Sequence, residues 1–243
     1  MQTVAPLAAL AEISGDYTEA ARTHREGLII AEELGLRTEA AGRLSGLGRI
    51  ALLTGDLDRA REFHERAKRL AAEQSFTFGE IYAGIGLGLG ARREGRLDAA
   101  EAHLRRVHEW YERAAPEPGN ALVLAELGFV AEQRGDAVAA MSLHLDGYTA
   151  AHATRDPRAL ALAIEGLAGA SALAGRHAVA ARLLGAAATA RVAAGAPLPA
   201  GERGDVDRIT TSAREALGQE AFRAEFARGE RLSPDEARAL VAA

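Results

Sequence analysis

Gly15-Asp16-Tyr17-Thr18-Glu19-Ala20 opens a phrase that the chain repeats as Gly55-Asp56…Ala60, Gly95-Arg96…Ala100, Gly135-Asp136…Ala140 and Gly175-Arg176…Ala180. The spacing is 40 residues each time, with no insertion. A fixed period of that length marks stacked copies of one supersecondary unit. Each copy reads as two helices about a tight turn. A glycine just past a helix end supplies a left-handed C-cap. The aspartate after it accepts bonds from the first free N–H groups of the next helix. The alanine five residues after the glycine suits the crossing of the two helices. Counting back from the turn, Leu7, Leu47, Leu87, Leu127 and Leu167 share one position. Ala8, Gly48, Gly88, Gly128 and Ala168 share the next, where a missing side chain lets a neighbouring helix approach.

Working outward, helices are predicted over 3–14, 17–34, 37–54, 57–74, 77–94, 97–114, 119–134, 137–154, 157–174 and 177–194. Pro157, Pro197 and the pair Pro116/Pro118 fall between helix pairs, where a helix should break. The first helix is short, and so abrupt a start reads as a piece of a longer chain. After residue 195 the register is lost. Ala196-Pro-Leu-Pro-Ala200 is a turn or linker, followed by helices over 201–217 and 218–229. Ser233-Pro234-Asp235-Glu236 starts a last short helix, with Ser as N-cap, Pro at the first position and Glu closing a capping box. The expectation is an all-α, right-handed superhelical solenoid of about five antiparallel helix pairs over 1–195, with a capping helical unit over 196–243.

Composition agrees. Of 243 residues 48% are hydrophobic but only 5% aromatic, so closely packed Ala and Leu must build the core. There is no cysteine, which excludes disulfides and thiolate metal sites. A net charge of −5 gives no global attraction to nucleic acid. No stretch approaches the ~20 apolar residues of a membrane span, and the N-terminus lacks a secretory pattern; a cytoplasmic protein is expected. Lys68 is the only lysine among 29 basic residues, a codon bias that points to a GC-rich bacterial genome.

These residues resemble the tetratricopeptide repeat, whose motif carries Leu-Gly on its first helix and Gly-Asp-Tyr-x-x-Ala at the turn. The period is longer than the usual ~34 residues, and the early aromatic of the first helix becomes Val4, Leu44, Gly84, Leu124 and Ile164. Both departures resemble the MalT-like subclass. Leu183-Leu184-Gly185-Ala186-Ala187, Gly195-Ala-Pro-Leu-Pro199, Ala216-Leu217-Gly218 and Ala221-Phe222 are similar to the end of the helical-repeat region in AfsR/SARP-type and large ATP-binding LuxR-type regulators. That similarity implies a sensing or interaction role beside an NTPase module. A stand-alone adaptor is the alternative.

Catalytic patterns are absent from the sequence. Gly86-x-Gly88-x-x-Ala91 imitates a dinucleotide fingerprint, but that motif needs a preceding strand, and the repeat register puts Gly84, Gly86, Gly88 and Gly90 inside a helix. Close packing explains them, and room for a ligand is the other reading. His24, His64 and His144 share one second-helix position; stacked pairs sit ~9–10 Å apart, too far for a common metal. No Ser/His/Asp set or His-x-x-x-His pair occurs, so no enzyme, metal or cofactor is expected. Arg92-Arg93 and Arg105-Arg106 are offset by nearby acids.

The resemblance further implies that the first helix of each pair lines a concave groove. The positions carried over are Ser45, Arg49 and Leu52; Tyr82, Ile85, Leu89, Arg92 and Arg93; Leu122, Ala125, Phe129, Glu132 and Gln133; and Leu162, Glu165 and Gly169. Their mixture suits a protein or peptide segment, or a small-molecule inducer. Arginines here could grip a carboxylate or phosphate. The Lys/Asn clamp of chaperone-binding relatives is missing.

Overall fold

Two turns per repeat fix the helix pairs, and both close in the same way. At the first, Gly15, Gly55, Gly95, Gly135 and Gly175 take φ between 75° and 85°. The next N–H then reaches back five residues: Asp16 to the Ala11 carbonyl at 2.8 Å, Asp56 to Ala51 at 2.8 Å, Arg96 to Ala91 at 2.8 Å, Asp136 to Ala131 at 3.0 Å, Arg176 to Ser171 at 2.8 Å. This is the Schellman closure. The carboxylates of Asp16, Asp56 and Asp136 accept from the N–H groups of Glu19, Arg59 and Ala139 at 3.0, 3.2 and 2.9 Å. The second turn is built alike at positions 35, 75, 155 and 195, where Gly35, Ser75, Arg155 and Gly195 have φ of 68°, 51°, 53° and 60°.

The computed structural model describes residues 8, 11, 12, 15–113 and 119–242. Most of the predicted 3–14 helix, with Val4 and Leu7, lies outside these residues, as do Pro116 and Pro118. The described chain is all-α, in repeating helix pairs. Helices α1 (Tyr17–Glu33), α2 (Arg37–Thr54), α3 (Leu57–Glu73), α4 (Thr77–Arg93) and the start of α5 (Leu97–Arg113) belong to one compact unit, which ends at Val107 and takes in Pro199–Gly201. The end of α5, then α6 (Gly119–Gln133), α7 (Ala137–Thr154), α8 (Pro157–Leu173) and α9 (His177–Ala193), belong to the second. So do α10 (Arg203–Leu217), α11 (Gln219–Gly229) and α12 (Pro234–Ala242), which follow a short 3-10 turn at Ala200–Glu202. For α1–α9 the expected and observed ends agree to within one residue. Ser233 and Glu236 form the expected capping box, the Ser233 N–H donating to the carboxylate at 2.8 Å and the Glu236 N–H to Oγ at 3.3 Å.

Ala20, Ala60, Ala100, Ala140 and Ala180 are all buried, as a crossing position requires. The glycines of the first helices accommodate particular side chains. A Cβ added at Gly48 or Gly86 would strike the His64 ring, and one at Gly128 or Gly166 would strike His144. Gly46 faces His24 likewise, and Gly88 faces Leu104. His24, His64 and His144, which share one position of the second helices, thus pack against glycine backbone. In α4, Gly84 lies against Val107 and Gly90 against Leu52, so close packing accounts for all four glycines and protein side chains fill the room they leave. In the second unit the core gathers Ile164, Leu167, Leu183, Ile209 and Phe222. In the first it centres on Leu44, Leu47 and Ile50, with Leu28 and Phe63 packed alongside.

Candidate functional site

Within the first unit, the residues expected to line a groove divide between core and surface. Ser45, Leu52, Leu89 and Arg92 are buried. Arg49 is half-buried and forms an ion pair with Glu12, whose carboxylate also meets His24 Nε2 at 3.1 Å. Arg93 is half-buried and donates to the Leu52 carbonyl at 2.9 Å. Tyr82 is 45% exposed, and Phe78, one turn earlier on α4, is 52% exposed. Ile81 and Ile85 are half-buried on the same side. Positions 78, 81, 82 and 85 follow the i, i+3, i+4, i+7 spacing of one helix face. The first two turns of α4 therefore present an apolar stripe, while its last three turns are packed into the core. Phe78 and Ile81 belong to this stripe although family register did not select them; the helical spacing from Tyr82 was the available signal.

In the second unit the expected residues are mostly committed to internal contacts. Phe129 is buried and meets the His144 ring edge-on, centroids 4.9 Å apart. Glu132 is buried on α6 and accepts from Arg208 of α10 at 2.6 Å, with Asp205 holding the same guanidinium at 3.2 Å. Burial opposes the charge on Arg208, but the two carboxylates outweigh it and raise its pKa above the ordinary value. Glu165, buried on α8, takes a two-point ion pair from Arg191 of α9, Nη2 to Oε2 at 2.7 Å. These acids tie first helices to the elements that follow. Ala125 and Gly169 are buried, Leu122 and Leu162 are half-buried, and Gln133 is exposed.

Two solved structures share this arrangement. BtubC (BKLC) from P. vanneervenii matches with a TM-score of 0.63 and 22% identity, covering 82% of each chain. A Podosopora anserina kinesin light chain with nearly identical TPR-like repeats matches with a TM-score of 0.58 and 16% identity, covering 79% of this chain and 94% of that one. The fold is tetratricopeptide-like. No protein-family model matches the sequence, and no curated protein does. Among the described residues there is no group of three or more His, Asp or Glu placed to hold a metal ion. No helix among them is long and apolar enough to cross a membrane.

Proposed function

We propose that this chain is a non-enzymatic binding domain which receives a segment of a partner protein on the first-helix face of its repeats. The observation that carries the reading is the α4 stripe of Phe78, Ile81, Tyr82 and Ile85, with two aromatic rings about half exposed. Contiguous apolar surface of this kind is the usual anchor for an amphipathic segment, whose apolar side chains fill it at matching spacing. Aromatic residues supply much of the affinity in such interfaces.

The setting proposed is the sensor or interaction region of a bacterial transcription regulator. Its support is the similarity of Leu183–Ala187 and the residues after Gly195 to the ends of such regions. The rival is a stand-alone adaptor, a role the same tetratricopeptide-like fold would serve. A photo-crosslinking amino acid at Tyr82 tests the surface, with one at Val138, 82% exposed on α7, as the control. Crosslinking in the native host should give an adduct from position 82 and none from 138. The Phe78→Ser/Tyr82→Ser variant should bind that partner at least tenfold more weakly with an unchanged melting curve. Equal binding by the variant sinks the proposal. A partner segment from an NTPase or DNA-binding module places the chain in a regulator; two otherwise unrelated partners make it an adaptor.

A further inference from the structure

Beyond that partner surface, and independent of it, the second unit holds a cavity. In the preceding repeat the second helix is covered by the first helix of the next copy. After α9 there is no next copy, and the shorter α11 takes that place. The two helices touch closely: a Cβ at Gly185 would collide with the Phe226 carbonyl, and one at Gly229 with the Arg182 carbonyl. Beyond this crossing, towards the end of α9, Ala187 and Ala188 offer only methyl groups. A cavity of about 420 Å³ remains there, walled by Leu184, Ala187, Val206 and Phe226 and bounded by the Gly195–Leu198 turn. Its volume lies in the range of small-molecule sites, roughly 300–1,000 Å³.

The lining is overwhelmingly apolar, and its principal polar feature is the Arg191–Glu165 pair. The two side chains are only 12% and 5% exposed, and Glu202 adds a second negative charge to the field at Arg191. The guanidinium is already paired with the Glu165 carboxylate. An anionic ligand would find this cation already paired and would lose hydration against apolar walls, which is unfavourable. A neutral acceptor such as a ketone or ester carbonyl suffers neither penalty and can accept from a guanidinium N–H outside the two-point pair.

We propose that this cavity is a binding site for an uncharged, largely hydrocarbon small molecule carrying a carbonyl-type acceptor directed at Arg191. The polar end fixes orientation and the apolar walls supply affinity.

The test uses the whole chain and two fluorescent naphthalenes of similar size. Prodan is an uncharged ketone; anilinonaphthalene sulfonate is an anion. Prodan should bind saturably at one per chain, with blue-shifted emission, and at least tenfold more tightly than the sulfonate. Ala188→Trp fills the cavity from an exposed position on α9, so the fold should persist, as its circular dichroism and melting temperature will report; prodan affinity should fall at least tenfold. Absence of saturable prodan binding overturns the proposal, as does undiminished binding to Ala188→Trp. A sulfonate that binds as tightly as prodan overturns the assignment of an uncharged ligand. Phe78→Ser/Tyr82→Ser should leave prodan binding unchanged, which separates this site from the partner surface.

Discussion

Ser75 and Arg155 occupy left-handed backbone, with φ of 51° and 53°, at turns where repeats one and five place Gly35 and Gly195. An L residue in that conformation is strained by ~1–2 kcal/mol. Replacing it with glycine relieves the strain but frees the unfolded chain, which returns roughly 0.4–1 kcal/mol of the gain. Arg155 is exposed, so little else changes. Arg155→Gly is therefore expected to raise stability by about 0.5–1 kcal/mol, seen as a higher urea midpoint with unchanged slope. A lower midpoint would show that the arginine side chain contributes more than its backbone strain removes.

At the scale of one element, α4 contains glycines that look alike in sequence and differ in surroundings. A methyl at Gly86 would overlap the His64 ring, and that ring is buried and has nowhere to retreat. At Gly90 the nearest atom, Leu52 Cδ2, would lie 3.6 Å away, an ordinary contact. Gly86→Ala should destabilise by about 1–3 kcal/mol through overpacking. Gly90→Ala should stabilise by up to about 1 kcal/mol through helix propensity alone. In a double-mutant cycle, His64→Ala should cost less on the Gly86→Ala background than on the native one, because the two groups compete for one space. Thermal or urea melts of the four proteins decide it, and additive effects would contradict the cradle.

At the scale of the whole molecule, the same histidine ties stability to pH. Burial, with Arg49 adding to it, pushes the His64 pKa from 6.5 down to about 4. The folded state thus holds the imidazole neutral where the unfolded chain would protonate it. This contribution is fully present above pH 6.5 and is lost as pH falls towards 4; it amounts to something on the order of 3 kcal/mol. Repeat three carries Leu104 at the equivalent position. His64→Leu should therefore flatten the dependence of the urea midpoint on pH between 6.5 and 4, whatever its effect at neutral pH. An unchanged slope would mean that other groups govern acid unfolding.

The sequence by itself determined the 40-residue period, the ends of α1–α9, the first turn of each pair and the alanine at the crossing. These are local matters: a positive φ, a cap and its acceptor lie within about five residues, so residue identity and spacing suffice. The histidine cradles came from the tertiary structure, although they leave a trace in the spacing: His24, His64 and His144 each precede a glycine by 22 residues (Gly46, Gly86, Gly166), whereas Leu104 precedes Glu126. The left-handed Ser75 and Arg155 carried no sign in their identity. Only tertiary structure decided the fate of the residues assigned to a groove. Phe129 and Glu132 stand at the positions of Leu89 and Arg92 and are buried as those are, but Glu165 stands at the position of Ile85 and is buried where Ile85 is half-buried. What separates the last two is the arrival of a partner from the next helix: Arg191 lies 26 residues from Glu165. Periodicity specifies which way a side chain leaves its helix; which distant group meets it there depends on how the helices pack.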